Sequence, residues 1–396
     1  MACVVMNNLF FKRSFVVLFR RSLKSGHNSR CYCSQAVQTE DFKQTKVETS
    51  QPGLLETWFY GVKQFGRVNI SVPFNLQIES LDPQKYPDMG KLLVKLSYTS
   101  ESTDEQYNNI SLAALTKLYD FNIDTSDSSN IKVDAKFNTM ATFPALCTVQ
   151  MPINFDLKVE CTGSSTSVKN LETNEITIST KQSSCSLHNI KGETVTVNNI
   201  DGDITCTKVV QGNLNMTVSG KGNITTERIQ GQSVNCFVDE GNISCSSVYS
   251  NSSVFNCTNG NINLKNNHGS SETTVNNGNL VIDSLDGSLT SHVKNGSTDL
   301  FISRPDEVNV ETEYGDIIIK LPETSVALDL EGNKVTIDDK LDVTDQKKEE
   351  SGDRQKVQGY LSGTDGRIKA TTKNGSITVK SLDWMESLRL KGFDVQ

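Results

Sequence analysis

The groups best suited to chemistry in this sequence are carboxylates set close together. Asp201 with Asp203, Asp239 with Glu240, and Asp283 with Asp286 could act as the acid and base, or acid and nucleophile, of a carbohydrate lyase or hydrolase. Each pair stands beside a glycine turn, where a carboxylate is ordinarily a solvated corner. The intervals between glycines are also too short for the loops that wall a sugar groove. Gly269, Gly278, Gly287 and Gly296 are nine apart, as in calcium-binding nonapeptide rolls, yet those rolls need paired glycines and a regular aspartate. His27, His188, His268 and His292 form no metal set with the scattered cysteines, and the last two are 24 apart, which implies no stacking. No Gly-x-Ser-x-Gly elbow and no phosphate-cradling glycine loop occurs. Sequons such as Asn215-Met216-Thr217 and Asn242-Ile243-Ser244 follow from the Asn, Ser and Thr content of the repeat. The sequence therefore assigns no catalytic residue, no cofactor and no metal.

What would position such residues is a repeat. Gly202, Gly222, Gly241, Gly260, Gly278, Gly296 and Gly315 are separated by 20, 19, 19, 18, 18 and 19 residues, each beginning a Gly-Asp/Asn/Ser-apolar motif or its Thr variant. Midway lie Gly192, Gly212, Gly231, Gly269 and Gly287, with Asn251 where another glycine would fall. Apolar residues follow two and four places on, as in Leu214 and Met216, Ile262 and Leu264, Leu280 and Ile282, and Ile317 and Ile319. A period of two is a strand, and glycine with Asn or Asp is a turn. The pattern predicts strand, turn, strand, turn, repeated about every 19 residues.

The expected fold class is all-β: a parallel β-helix rather than an antiparallel meander. Only stacking puts identical residues above one another, so Asp203, Asn223, Asn242, Asn261, Asn279, Ser297 and Asp316 are expected to form a polar ladder at one turn. Between Asn154 and Leu300 the only aromatics are Phe155, Phe237, Tyr249 and Phe255, which fits a narrow core of Ile, Val, Leu, Thr and Cys. All eight prolines lie at or before Pro152 or at or after Pro305, as a coil that uses N–H groups along nearly every strand requires. Cys206 and Cys245 take the inward fourth place after their glycines.

Charge divides the chain. Residues 1–39 hold no Asp or Glu, while Lys12, Arg13, Arg20, Arg21, Lys24 and Arg30 alternate with apolar residues, the composition of a mitochondrial presequence. A secretory signal fits less well, because Ser14 to Phe19 is cut off by Arg20 and Arg21. Processing is expected near Arg30 and Tyr32. Removing those six cations leaves 33 basic against 47 acidic residues, so the overall -8 conceals a body of about -14. That sign disfavours nucleic acid as a partner, and no apolar run is long enough to cross a bilayer as a helix. Cys147, Cys161, Cys185, Cys206, Cys236, Cys245 and Cys257 remain beyond the leader. They are an odd number without a CxxC pair, and in a reducing matrix they read as buried small hydrophobes.

The expected organisation is a presequence over 1–33, a polar linker over 34–57, an irregular strand-rich head over 58–160 and β-helix repeats over 161–337. A charged projecting loop over 338–356 and final strands with a capping helix over 357–396 complete it. In the head, Ser111 to Tyr119 could form a short helix, and Asp383 to Leu390 the capping helix.

Strands built as Gly-Asp/Asn-Ile with alternating Val, Thr and Ser, the proline-marked Met151-Pro152-Ile153-Asn154-Phe155-Asp156-Leu157, and Leu321-Pro322 with Val326 to Gly332 resemble the adhesin β-helix domains found widely in bacteria. The resemblance runs over roughly Val149 to Leu382. With the leader, the whole chain resembles an animal mitochondrial family carrying that domain, family with sequence similarity 185. That kinship implies a fold and brings no catalytic signature. The reading that follows is a non-enzymatic β-helix protein of the mitochondrial matrix acting as a structural or protein-interaction scaffold, with a protein partner. The alternative is a carbohydrate-active or glycan-binding β-helix protein of the secretory pathway.

Overall fold

The structure, a computed structural model, describes residues 53–98, 112–138, 144–163 and 165–382. The expected presequence with Arg30 and Tyr32, most of the linker and the helix expected over Asp383 to Leu390 lie outside the described residues. The head contains β1 (Leu54–Gly61), β2 (Arg67–Val72), β3 (Asn75–Ser80), β4 (Lys91–Tyr98), α1 (Leu112–Leu115), β5 (Tyr119–Asp124), β6 (Asn130–Phe137), β7 (Ala145–Met151) and β8 (Asp156–Cys161). The coil follows as β9 (Ser165–Lys169), β10 (Glu172–Lys181), β11 (Ser184–Ile200), β12 (Ile204–Lys221), β13 (Ile224–Glu240), β14 (Ile243–Asn259), β15 (Ile262–Asn277), β16 (Leu280–Asn295) and β17 (Thr298–Tyr314). The tail holds β18 (Ile317–Leu321), β19 (Val326–Gly332), β20 (Lys334–Ile337), β21 (Val343–Ser351), β22 (Arg354–Leu361), β23 (Gly366–Asn374) and β24 (Ser376–Ser381).

From β10 to β17 every strand pairs in parallel with the next, so the chain is a β-solenoid with one rung per repeat. One detail departs from the expected strand and turn alternation. The glycines at 202, 222, 241, 260, 278, 296 and 315 do break the chain, but Gly212, Gly231, Gly269 and Gly287 lie inside continuous strands of 16 to 18 residues. Those strands double back on themselves. In β12 the Cys206 Sγ lies 3.6 Å from the Met216 Sδ across the core, and in β17 the Thr298 and Thr312 hydroxyls are 3.3 Å apart. A glycine bends the strand there at the cost of a local shift in register, as between Gln211 and Leu214 in β12, and in β17 Pro305 takes this place, in register with Gly287.

The core is made of columns. Leu187, Cys206, Thr226, Cys245, Leu264, Ile282, Leu300 and Ile319 occupy one, each in register with the next. In the facing column Phe255 is fully buried between Cys236 and Thr273, so one large ring is accommodated by small residues on the rungs beside it. Each aliphatic side chain buried this way contributes about 1.5–3 kcal/mol. All seven described cysteines are free and buried.

Both ends of the coil are closed by antiparallel pairing. At the head, β2 lies between β6 and β8 and β3 between β7 and β9, while β1, β4 and β7 form an antiparallel layer and β5 pairs β6. The expected linker is corrected here: β1 begins at Leu54, inside 34–57, because Leu55, Trp58 and Tyr60 pack on the core. The helix expected over Ser111 to Tyr119 is only α1, and Tyr119 opens β5, buried with its hydroxyl donating to Glu56 Oε1 at 2.9 Å. At the tail, β23 is inserted between β17 and β19, and β24 between β18 and β20. The charged stretch 338–356 is not a loop. It contains β21, antiparallel to β22, whose exposed Lys347, Lys348, Glu349 and Glu350 guard an outer edge against further pairing.

Candidate functional site

The polar column at the first turn is a continuous hydrogen-bonded ladder over six rungs. Asp203 Oδ1 accepts the Asn223 N–H at 2.7 Å, and Asn223, Asn242 and Asn261 each accept the N–H of the next column residue at 2.9 Å. The carboxamide Nδ2 of Asn223, Asn242 and Asn261 also donates to the Oδ1 of the residue before it, at 3.0–3.2 Å. Asn279 accepts both the N–H and the hydroxyl of Ser297, where the ladder stops. Asp316 begins a second, short one by accepting the N–H and hydroxyl of Ser376 at 2.7 and 2.8 Å. Carboxylates stand where a residue need only accept, and carboxamides where it must do both. The glycines beside this column stack likewise: at Gly260, with φ +142°, a Cβ would collide with the carbonyl oxygen of Gly241. The bonds these side chains make run from rung to rung along the column, so they build the coil.

The opposite corner differs. There Gly212, Gly231 and Gly269 floor an open groove of about 640 Å³. One wall is the column Gln211, Gln230, Tyr249 and His268, and the other carries Asn213, Gln232 and Asn251. Lys191 precedes this column, and Asp286 and Arg304 extend it. Tyr249 and His268 stack with centroids 4.7 Å apart and planes at 10°, and the Arg228 guanidinium lies 5.1 Å from the other face of the Tyr249 ring. His268 Nδ1 is 3.2 Å from Asp286 Oδ2, and Arg304 bridges Asp286 Oδ1 at 2.8 Å. Five side chains from five successive strands, β13 to β17, thus form one ribbon of cation, ring, ring, anion and cation. Just behind it the core itself is polar: buried Asn267 donates to Ser271 at 2.6 Å, and the Ser271 and Ser253 hydroxyls are 2.7 Å apart.

Sequence reasoning missed this ribbon although a signal existed. Tyr249, His268, Asp286 and Arg304 are 19, 18 and 18 residues apart, the repeat period itself. Spacing between the two histidines draws attention elsewhere: His292 lies 3.8 Å from Glu311 on a different column.

The structure takes the carboxylate pairs apart. Asp201 accepts the Lys221 N–H at 3.1 Å and Asp239 the Gly220 N–H at 3.2 Å, so both hold turns. Asp286 belongs to the ribbon. Burial pushes the Asp283 carboxyl up, opposed by Lys265 and Lys320. Among the described residues, no group of three or more His, Cys, Asp or Glu side chains is arranged to hold a metal, and no helix is long and apolar enough to cross a membrane. Burial pushes the Cys147 and Cys185 thiols up to about 12 and Cys257 to about 11, which makes them poor nucleophiles. A second groove, of about 1030 Å³, is lined by residues of β17, β19, β21, β22 and β23. Its Asp329 is already engaged, by Gln358 at 3.1 Å and Lys356 at 3.8 Å, which ties the β21–β22 hairpin down.

Rung stacking and corner chemistry define the class as a parallel β-solenoid. Its residues 208–380 match the Toastrack DUF4097 family. Solved structures to which the chain is similar include a "putative cell adhesion protein" from Clostridium sporogenes, at 7% identity over 82% of this chain and 99% of that one, with a TM-score of 0.17. A "putative adhesin" from Bacteroides fragilis is 12% identical over 82% of this chain and 96% of that one, with a TM-score of 0.21.

Proposed function

We propose that the protein is a non-enzymatic interaction scaffold, in which the solenoid displays the groove and its ribbon to a protein partner. The observation that carries this reading is the contrast between the two corners. The amides of the turn ladder bond one another, whereas Gln211, Gln230, Gln232 and Asn251 have no side-chain partner among the described residues and line an open groove beside Arg228 and Tyr249. Tyrosine rings and arginines are the groups that anchor protein interfaces, and unpartnered amides beside them can bond a partner's polar groups. The acid-free leader with its six cations supports delivery to the mitochondrial matrix, and together with the repeat it supports kinship with the animal family with sequence similarity 185.

Proximity labelling from the C-terminus in intact cells tests both parts. The labelled set is expected to be mitochondrial and to lose specific members in the Arg228→Ala/Tyr249→Ala variant, with an unchanged melting curve. A set identical in both chains contradicts the scaffold surface. Asn-linked glycans on the chain contradict the location and favour the secretory glycan-binding alternative.

A further inference from the structure

Four Asn-Gly dipeptides occur in the chain, at Asn259, Asn277, Asn295 and Asn374. Asn-Gly is chemically labile because the glycine nitrogen can attack the asparagine side-chain carbon with little steric hindrance. The coil blocks that reaction at three of the four. Gly260 N–H donates to the Asn277 carbonyl at 2.8 Å, Gly278 N–H to the Asn295 carbonyl at 2.9 Å and Gly296 N–H to the Tyr314 carbonyl at 3.0 Å. Their carboxamides are also held, Asn277 Nδ2 on Asn259 Oδ1 at 2.8 Å and Asn295 Nδ2 on Asn277 Oδ1 at 2.9 Å. Attack therefore requires breaking the rung-to-rung bond of the nucleophile and the side-chain bond of the electrophile.

Asn374 lacks both protections. It is exposed, and its carboxamide has no hydrogen-bond partner among the described residues. The Gly375 N–H, unlike those of Gly260, Gly278 and Gly296, has no acceptor there. The reason is topological. The strands above this corner, β19 and β20, meet at Gly332 and Asn333, and it is Asn333 N–H that donates to the Gly375 carbonyl at 3.0 Å, leaving the Gly375 nitrogen facing no carbonyl. Local sequence does not explain the difference, because Lys294-Asn295-Gly296-Ser297 and Lys373-Asn374-Gly375-Ser376 are the same tetrapeptide.

We infer that Asn374 is a spontaneous modification site, at which the folded chain converts asparagine to aspartate and isoaspartate with water as co-reactant. The Gly375 nitrogen loses its proton and bonds to Asn374 Cγ. The Cγ–Nδ2 bond breaks, and ammonia leaves with the returned proton. Water then opens the five-membered imide at either carbonyl. Isoaspartate adds a methylene to the backbone at the corner where Gly315 N–H donates to the Asn374 carbonyl at 3.1 Å and Ser376 N–H to Asp316. Because β23 and β24 are inserted beneath β19 and β20, the change loosens the tail cap.

The test incubates the full chain, made in bacteria, in mildly alkaline buffer and follows all four sites by peptide mapping and mass spectrometry. Asn374 is expected to convert about tenfold faster than Asn295 or more, since two hydrogen bonds must open at Asn295. In denaturant the two tetrapeptides should react at matching rates, and Asn374→Gln should remove the early charge variant. Equal rates at Asn295 and Asn374 in the folded chain, or a Asn374→Gln chain that acidifies as fast as the parent, overturn the assignment. An isoaspartate fraction that melts with the parent overturns the loosening.

Discussion

The head and the coil bury comparable apolar columns, yet they specify themselves with different residues. In the head, rings do the ordering: Trp58 stacks on Phe121 at 4.4 Å, and Phe74 meets Phe137 edge-on at 5.1 Å and Tyr119 at 5.8 Å. In the coil, rings are almost absent from the interior, and order comes from identity between rungs, with glycine over glycine and asparagine over asparagine. An irregular layer has no translational repeat to fix its register, so it depends on shapes that fit one way only. A repeated rung needs only that each position tolerate its own copy 18 to 20 residues away.

That difference can be broken from either side. The largest effect is expected from Phe74→Ala, which removes the ring at the centre of the head cluster and should cost about 3–5 kcal/mol. Proteolysis should then release the head while the coil stays resistant, and a coil that melts with it would mean that the two regions are one cooperative unit. Next comes Gly260→Ala, at about 3 kcal/mol from its φ and the collision with the Gly241 carbonyl, read by urea unfolding as loss of the coil. Asn242→Ala removes the Oδ1 that accepts from Asn261 and the Nδ2 that donates to Asn223, and should cost about 1 kcal/mol, because the exposed Asn261 and Asn223 groups then bond water instead. The smallest effect is a pH dependence. Hydrogen bonds from the Ser376 N–H and hydroxyl hold the Asp316 carboxyl below its ordinary 3.8. Its contribution is therefore present above 3.8 and fades as pH falls through the lower folded value. Asp316→Asn should flatten this part of the acid limb of a thermal-melting series.

The coil was legible in the sequence because its physics is repetitive. Any side chain at one of these positions would collide with a neighbouring carbonyl, so all seven glycines recur, and the ladder from Asp203 to Ser297 could be drawn from spacing alone. The ends were not, because their pairing is non-local: nothing near β23 indicates that it inserts between β17 and β19. The stretch Asp345 to Glu350 reads as a loop for a physical reason, since an edge strand avoids aggregation by carrying the charges that loops carry. The ribbon at Tyr249 was hidden by its mixed composition. Its members differ in type from rung to rung, and only their shared spacing unites them.

Register is the claim on which coil, ladder and groove all depend, and paired cysteines test it most directly. Thr225 and Ser244 are in-register neighbours on the outer face, and Asn263 is one rung further on. Stacked rungs put neighbouring Cα atoms about 4.8 Å apart, within disulfide reach, and next-but-one rungs at about twice that. With the native thiols buried, Thr225→Cys/Ser244→Cys should oxidise to completion and Thr225→Cys/Asn263→Cys should remain reduced. Bridging of the second pair in preference to the first would contradict the parallel stack.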